Sequence, residues 1–227
     1  MKKKIILTLV ITMVPVLLIT SCSSKADKEA ALAFKEEYES INGEVNSKGK
    51  EHRSVTIPED NPFEKVEASK IVEMIENEET FYVYFGDKLC PWCRSVIEKA
   101  CDVAKDNKIK KIYYVNIWDD DGNEILRDKY QLVDGEVSQL IEGSDDYYKL
   151  LEYFDELLND YTLTDDEGNK VEVGEKRIFA PNFVYVKKGK PVKLVEGISD
   201  KQTDSREELT DEMLKDEEEQ FNELFSK

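Results

Sequence analysis

Apolar positions along the chain change period several times, and each change marks an element. Ala30, Phe34, Tyr38 and Ile41 recur at helical spacing, so a weakly amphipathic helix is expected behind a short polar tether at Ser23-Ser24-Lys25. Residues 43–50 are polar with two glycines, and Pro58 and Pro62 follow, which predicts a linker and extended lead-in at about 42–62. From Phe63 the pattern is that of a compact α/β domain. Phe63 to Glu67 reads as a strand, and Ser69 as the cap of a helix carrying Ile71, Val72 and Ile75. Phe81-Tyr82-Val83-Tyr84-Phe85 is an unbroken apolar run, which suits a central strand covered on both faces. A helix over about 91–105 and a strand over 111–118 complete a strand, helix, strand unit.

Beyond it, Asp119 to Gly143 reads as acidic and irregular. Ser144 is placed to cap a helix whose Tyr147, Leu150, Leu151, Phe154, Leu157 and Leu158 form a wide apolar stripe, a core-covering face. Two hairpins are expected, one around Asp165-Asp166-Glu167-Gly168-Asn169 and a stronger one joining Phe183–Val186 to Val192–Val195. The tail from Glu207 to Phe225 carries Leu209, Met213, Leu214, Phe221, Leu224 and Phe225 near helical spacing and predicts a surface helix with one apolar face.

The first residues read as an address. Lys2, Lys3 and Lys4 precede the apolar run Ile5 to Ile19, which ends in Ile19-Thr20-Ser21-Cys22. The run is about 15 residues, short of the ~20 needed to span a bilayer. Its end resembles a bacterial lipobox, which implies cleavage before Cys22 and attachment of diacylglycerol to that cysteine; a plain cleaved signal with an incidental cysteine is the alternative. The expected organisation is a signal peptide at 1–21, a lipid-anchored tether, short helix and linker at 22–62, and one domain at 63–227. Such a chain lies on the extracytoplasmic face of the cell membrane, where disulfides form and persist. Composition agrees with one folded domain, at 40% hydrophobic and 36% charged residues. A net charge of −18 argues against nucleic acid as a partner but names none.

The chemistry lies directly after the apolar strand, in Cys90-Pro91-Trp92-Cys93. Pro91 suits the first helical turn, where its missing N–H costs nothing, and Ile97, Ala100 and Ala104 continue an apolar face. Cys90 then stands at a helix N-terminus, where unpaired N–H groups and the helix dipole favour a thiolate. Cys93, one turn inward, is placed to close a disulfide with it.

This motif resembles that of the thioredoxin superfamily, a strand followed by C-x-x-C at the start of a helix. The resemblance implies a thioredoxin-like fold, with a central mixed sheet flanked by helices, and a protein thiol–disulfide oxidoreductase. It also implies that Ala180-Pro181, ahead of the second hairpin, is a cis-proline pair facing the cysteines, with Ala180 offering backbone groups to an extended substrate. Pro91 and Trp92 join Ala180 and Pro181 as substrate-contact candidates, Trp92 being equally suited to covering the disulfide. The separation of Cys93 from Pro181 exceeds that of a minimal thioredoxin, so an insertion is expected at about 119–177. Tyr84 stands where thioredoxin carries a buried acid. The Pro-Trp dipeptide is similar to glutaredoxin-like or exported variants, and the whole arrangement bears a fainter likeness to thioredoxin-like accessory proteins of bacteriocin transport.

Other readings of the cysteines are a structural disulfide or half of a zinc site. Zinc usually takes four Cys or His ligands, and after Cys22 the chain offers only Cys90, Cys93, Cys101 and His52. Cys101 lies about 12 Å along the helix from Cys93, beyond the ~7 Å reach of a disulfide, and reads as a small buried residue. His52 falls in the expected linker without a partner. Asp119-Asp120-Asp121-Gly122 fails as a calcium loop, because Ile117 and Asp128 occupy its first and last ligand positions. No metal and no organic cofactor is expected. The partners expected are protein thiols or disulfides, a transient redox partner and the membrane reached through lipid. The competing function is a non-catalytic binding or accessory module for exported peptides, stabilised by its disulfide.

Overall fold

The computed structural model describes residues 25–226; the expected signal peptide and Cys22 lie outside them. Five strands form a mixed sheet: β1 (Phe63–Lys65), β2 (Phe81–Gly86), β3 (Ile112–Asn116), β8 (Asn182–Lys187) and β9 (Lys190–Val195), in the order β1-β3-β2-β8-β9. β3 runs parallel to both β1 and β2, whereas β8 is antiparallel to β2 and to β9. The apolar run 81–85 is thus the middle strand, covered on both faces as its composition requires.

Alternation along the strands divides the core in two. Tyr84, Tyr114, Phe183 and Tyr185 face one side, where α1 (Lys25–Glu39), α3 (Pro91–Asp106) and α5 (Asp211–Phe225) pack. Val83, Phe85, Val115, Val184 and Val186 face the other, covered by α2 (Ala68–Glu76) and α4 (Asp145–Phe154). The result is an α/β fold with a mixed central sheet between helices. The α4 stripe meets this core through Tyr147, Leu150 and Phe154, and Ser144 caps the helix by accepting the Tyr147 N–H. α5 starts at Thr210, whose hydroxyl accepts the Met213 N–H, with Asp211 and Glu212 in the first turn.

Three local expectations needed correction. The cap of α2 is Glu67, without a side-chain hydrogen bond, and Ser69 lies inside the first turn. The stretch read as irregular contains a ribbon, β4 (Lys129–Val133) paired antiparallel with β5 (Glu136–Ile141). Its burial alternates only weakly because one ribbon, not a sheet, lies there. The expected linker is packed down: Val55 and Ile57 are buried with Phe34, Tyr38 and Phe63 in one cluster. Asn42 donates to the Val55 carbonyl and accepts its N–H, so the extended chain has defined partners. Each fully buried large apolar side chain contributes about 1.5–3 kcal/mol, so α1 is bound to the domain and not strung from it.

The hairpin at 165–169 is β6 (Asn159–Thr164) with β7 (Lys170–Arg177). β8 and β9 are joined by Lys188 and Gly189, both at positive φ, the left-handed pair a tight two-residue turn requires.

α5 buries one uncompensated acid. Glu217 is fully buried and neither carboxylate oxygen has a hydrogen-bond partner. Burial pushes its pKa up to about 8, with Lys99 and Arg53 opposing. A raised carboxyl pKa means that the folded state holds a proton the unfolded chain has lost. The stability this contributes is present below the ordinary pKa of 4.5 and is lost as pH rises through 8. Glu217→Gln is expected to flatten that decline, measured as urea midpoints at acidic and alkaline pH. Parallel pH profiles for the two proteins would refute the assignment.

Candidate active site

β2 ends at Gly86, and the loop Asp87-Lys88-Leu89 delivers the chain to α3. Asp87 organises that loop: its carboxylate accepts the Leu89 N–H at 2.6 Å, and its carbonyl accepts the Cys90 N–H at 3.2 Å. Cys90 caps α3, and Pro91 takes the first helical position as its fixed φ favours. Both Cys90 and Cys93 are free thiols here, and both are buried. The Cys90 sulfur accepts the Cys93 N–H at 3.2 Å, and its thiol donates to the Ala180 carbonyl at 3.4 Å.

The two thiols differ in character. Burial alone raises the Cys90 pKa, but hydrogen bonds from the Cys93 thiol and N–H, together with the Arg127 guanidinium, offset this and hold it below its ordinary value. Cys93 is pushed well above its ordinary value, first by burial and then by Cys90. The surroundings therefore favour the thiolate at Cys90 and the thiol at Cys93. Asp87, only 1% exposed, has its carboxyl pKa pushed up to about 7 by burial.

Pro181 follows a cis peptide bond from Ala180, opposite Cys90. Trp92, Phe179, Ala180, Pro181 and Ile198 line one cleft of 520 Å³, with Asp160 and Lys170 of the β6–β7 ribbon on its rim. The structure thus brings together Cys90, Cys93, Trp92, Ala180 and Pro181, with Pro91 adjoining them at the head of α3. Cys101 stands apart in the core, its thiol pushed up by burial. His52 is buried, its Nδ1 has no partner, and burial followed by the charges of Arg94 and Arg206 lowers its pKa. Asp119 turns its loop by accepting the Asp121 and Asn123 N–H groups. Among the described residues no cluster of three His, Cys, Asp or Glu converges as a metal site. Nor is any described helix long and apolar enough to cross a membrane.

Several contributors escaped sequence reading. Arg127 donates to the Ile178 carbonyl at 3.2 Å and pairs with Glu124, which also pairs with Arg177. Arg177 reaches the carbonyl and carboxylate of Asp128 at 2.6 and 3.2 Å. This buried network ties residues 124–128 to the strand leading into Ala180-Pro181. No spacing rule reveals it, because its members meet only through the fold; the single hint was three charged residues, Glu124, Arg127 and Asp128, beside buried Leu126.

Neither a protein-family model nor a curated protein matches the chain.

Proposed function

We propose that this protein is a thiol–disulfide oxidoreductase of thioredoxin-like fold, anchored by lipid at Cys22 on the extracytoplasmic face of the membrane. One observation carries the reading: the Cys90 sulfur at the head of α3 accepts the Cys93 N–H at 3.2 Å and lies 3.4 Å from the Ala180 carbonyl. A sulfur favoured as thiolate thus touches Ala180, which lines the cleft and offers a backbone edge able to hold an extended chain. The strand order and the cis bond at Pro181 support the thioredoxin-like assignment, with 119–177 as an insertion between the motif unit and the cis-proline strand.

In this mechanism the Cys90 thiolate attacks a client disulfide and forms a mixed disulfide, while the client's other sulfur leaves and takes up a proton. Cys93 then attacks Cys90 and releases the reduced client; run backwards, the steps oxidise a client dithiol. Pro91, Trp92, Ala180 and Pro181 contact the client chain. A transient redox partner resets the pair after each turnover, and the steps require no metal or organic cofactor.

The test is the reduction potential of the Cys90–Cys93 pair, measured in glutathione buffers on the chain carrying Cys22→Ser and Cys101→Ser. A reversible value within about −270 to −120 mV is expected, its position distinguishing reductant from oxidant. A pair that stays oxidised below about −300 mV would mark a structural disulfide and favour a peptide-binding accessory module.

A further inference from the structure

Resolution of a mixed disulfide needs Cys93 as a thiolate, yet this sulfur is fully buried and burial opposes its charge. Something beside it must favour the ion. Two groups oppose that penalty: the Tyr84 side chain on β2, which shares the buried cluster of Cys93, and the backbone N–H of Asp87. Tyr84 is itself fully buried and held on all sides. Its ring stacks on Phe183 at 4.3 Å and on Tyr114 at 5.4 Å, its neighbours on the two adjacent strands. Its phenol end lies over Gly86, where a Cβ would meet the Tyr84 Cζ and hydroxyl oxygen at 2.1 Å, so only glycine leaves room for it.

A second hydroxyl completes the arrangement. Tyr38, fully buried on α1, lies 2.7 Å from the Tyr84 oxygen. If Tyr38 donates to Tyr84, the single Tyr84 proton is free to point at Cys93, and each bond polarises the next. Burial holds both phenols well above their ordinary pKa, so they act as neutral donors.

We propose that Tyr84 is a catalytic residue that donates a hydrogen bond to the Cys93 thiolate during resolution, and that Tyr38 is the positioning residue that orients its hydroxyl. This rests on the reading of Cys90 and Cys93 as a redox pair. In the step itself the Cys93 thiolate forms a bond to the Cys90 sulfur. The bond from Cys90 to the client sulfur breaks, and the client leaves as a thiolate whose proton balances the one Cys93 released. The cysteine pair is oxidised and the client reduced. Other ionisable groups face this centre: Cys90 from α3, Asp87 from the loop, Tyr114 from β3 and the Arg94 guanidinium. All are common to the variants below, so a difference between variants reports the hydroxyls.

The experiment is stopped-flow reaction of the reduced chain, carrying Cys22→Ser and Cys101→Ser, with dithionitrobenzoate across a range of pH. Attack by Cys90 releases a first thionitrobenzoate, and closure by Cys93 releases a second. Tyr84→Phe is expected to slow the second phase relative to the first by about tenfold or more, as loss of a hydrogen bond to a charged group implies. It should also move the pH midpoint of that phase upward. Tyr38→Phe should shift it in the same direction by less, and it carries the test if Tyr84→Phe fails to fold. An unchanged rate and midpoint in the folded variants overturns the role of the tyrosines. Absence of a second phase in the parent protein would overturn the redox reading itself.

Discussion

Cys93→Ser turns the protein into a trap. With Cys90 intact the first attack proceeds, but the hydroxyl now facing the mixed disulfide cannot displace it, and clients remain joined through sulfur. The expected result in the native host is a ladder of thiol-sensitive adducts on non-reducing gels, absent when Cys90→Ser is introduced instead. Steady-state exchange falls to background in both variants. The asymmetry follows from the site: the Cys90 sulfur contacts Ala180, which lines the cleft with Pro181, while Cys93 is fully buried in the cluster that holds Tyr84. Equal adducts from both variants, or none from either, would remove the case for catalysis and leave a binding module.

Arg94→Met carries the largest expected cost in stability. The Arg94 side chain is fully buried, and its acceptors are the Arg53 carbonyl at 2.6 Å, the Tyr38 carbonyl at 2.7 Å, the Lys88 carbonyl at 3.3 Å and Asn42 Oδ1 at 2.6 Å. Those atoms belong to the C-terminal end of α1, the extended lead-in and the loop before Cys90. One guanidinium therefore fastens three separate segments around the head of α3. Methionine preserves bulk but supplies no donor, leaving buried carbonyls unsatisfied at about 1–3 kcal/mol each. A total of about 3–5 kcal/mol is expected, which lowers Tm by on the order of 10 °C for a domain of this size. Thermal unfolding followed by circular dichroism measures it. A shift within about 2 °C would show that the lead-in is held by other contacts.

The sequence was most informative where a rule is local. An unbroken apolar run identified β2, two apolar stretches joined by a short polar turn identified the β8–β9 hairpin, and the cysteine spacing with Pro91 located the start of α3. Ser144 was legible as a cap because capping involves neighbours only. The β4–β5 ribbon was not, since strands with little buried surface carry weak alternation. Nor was the integration of α1, because a helix packed by Phe34 and Tyr38 has the same pattern whether it docks on its own domain or on something else. The candidate site divides in the same way. Cys90 and Cys93 announce themselves within one turn of helix, whereas Tyr38 and Tyr84 lie far apart in the chain and meet only when α1 covers the sheet. Tyr84 in the sequence marked only a missing acid; a hydroxyl in its place acquires meaning from the partner at 2.7 Å.

The docking of α1 also sets a working height. A lipid at Cys22 would be followed by at most about 10 Å of extended chain before Lys25. The 15 residues of α1 then run about 22 Å toward Tyr38, beneath the cysteine pair. A catalyst so held would be a station on a short mooring and not a float on a long line. On the proposed reading it would serve cysteines that emerge within a few nanometres of the bilayer, and lengthening the stretch at Ser23 and Ser24 would change which ones come within range.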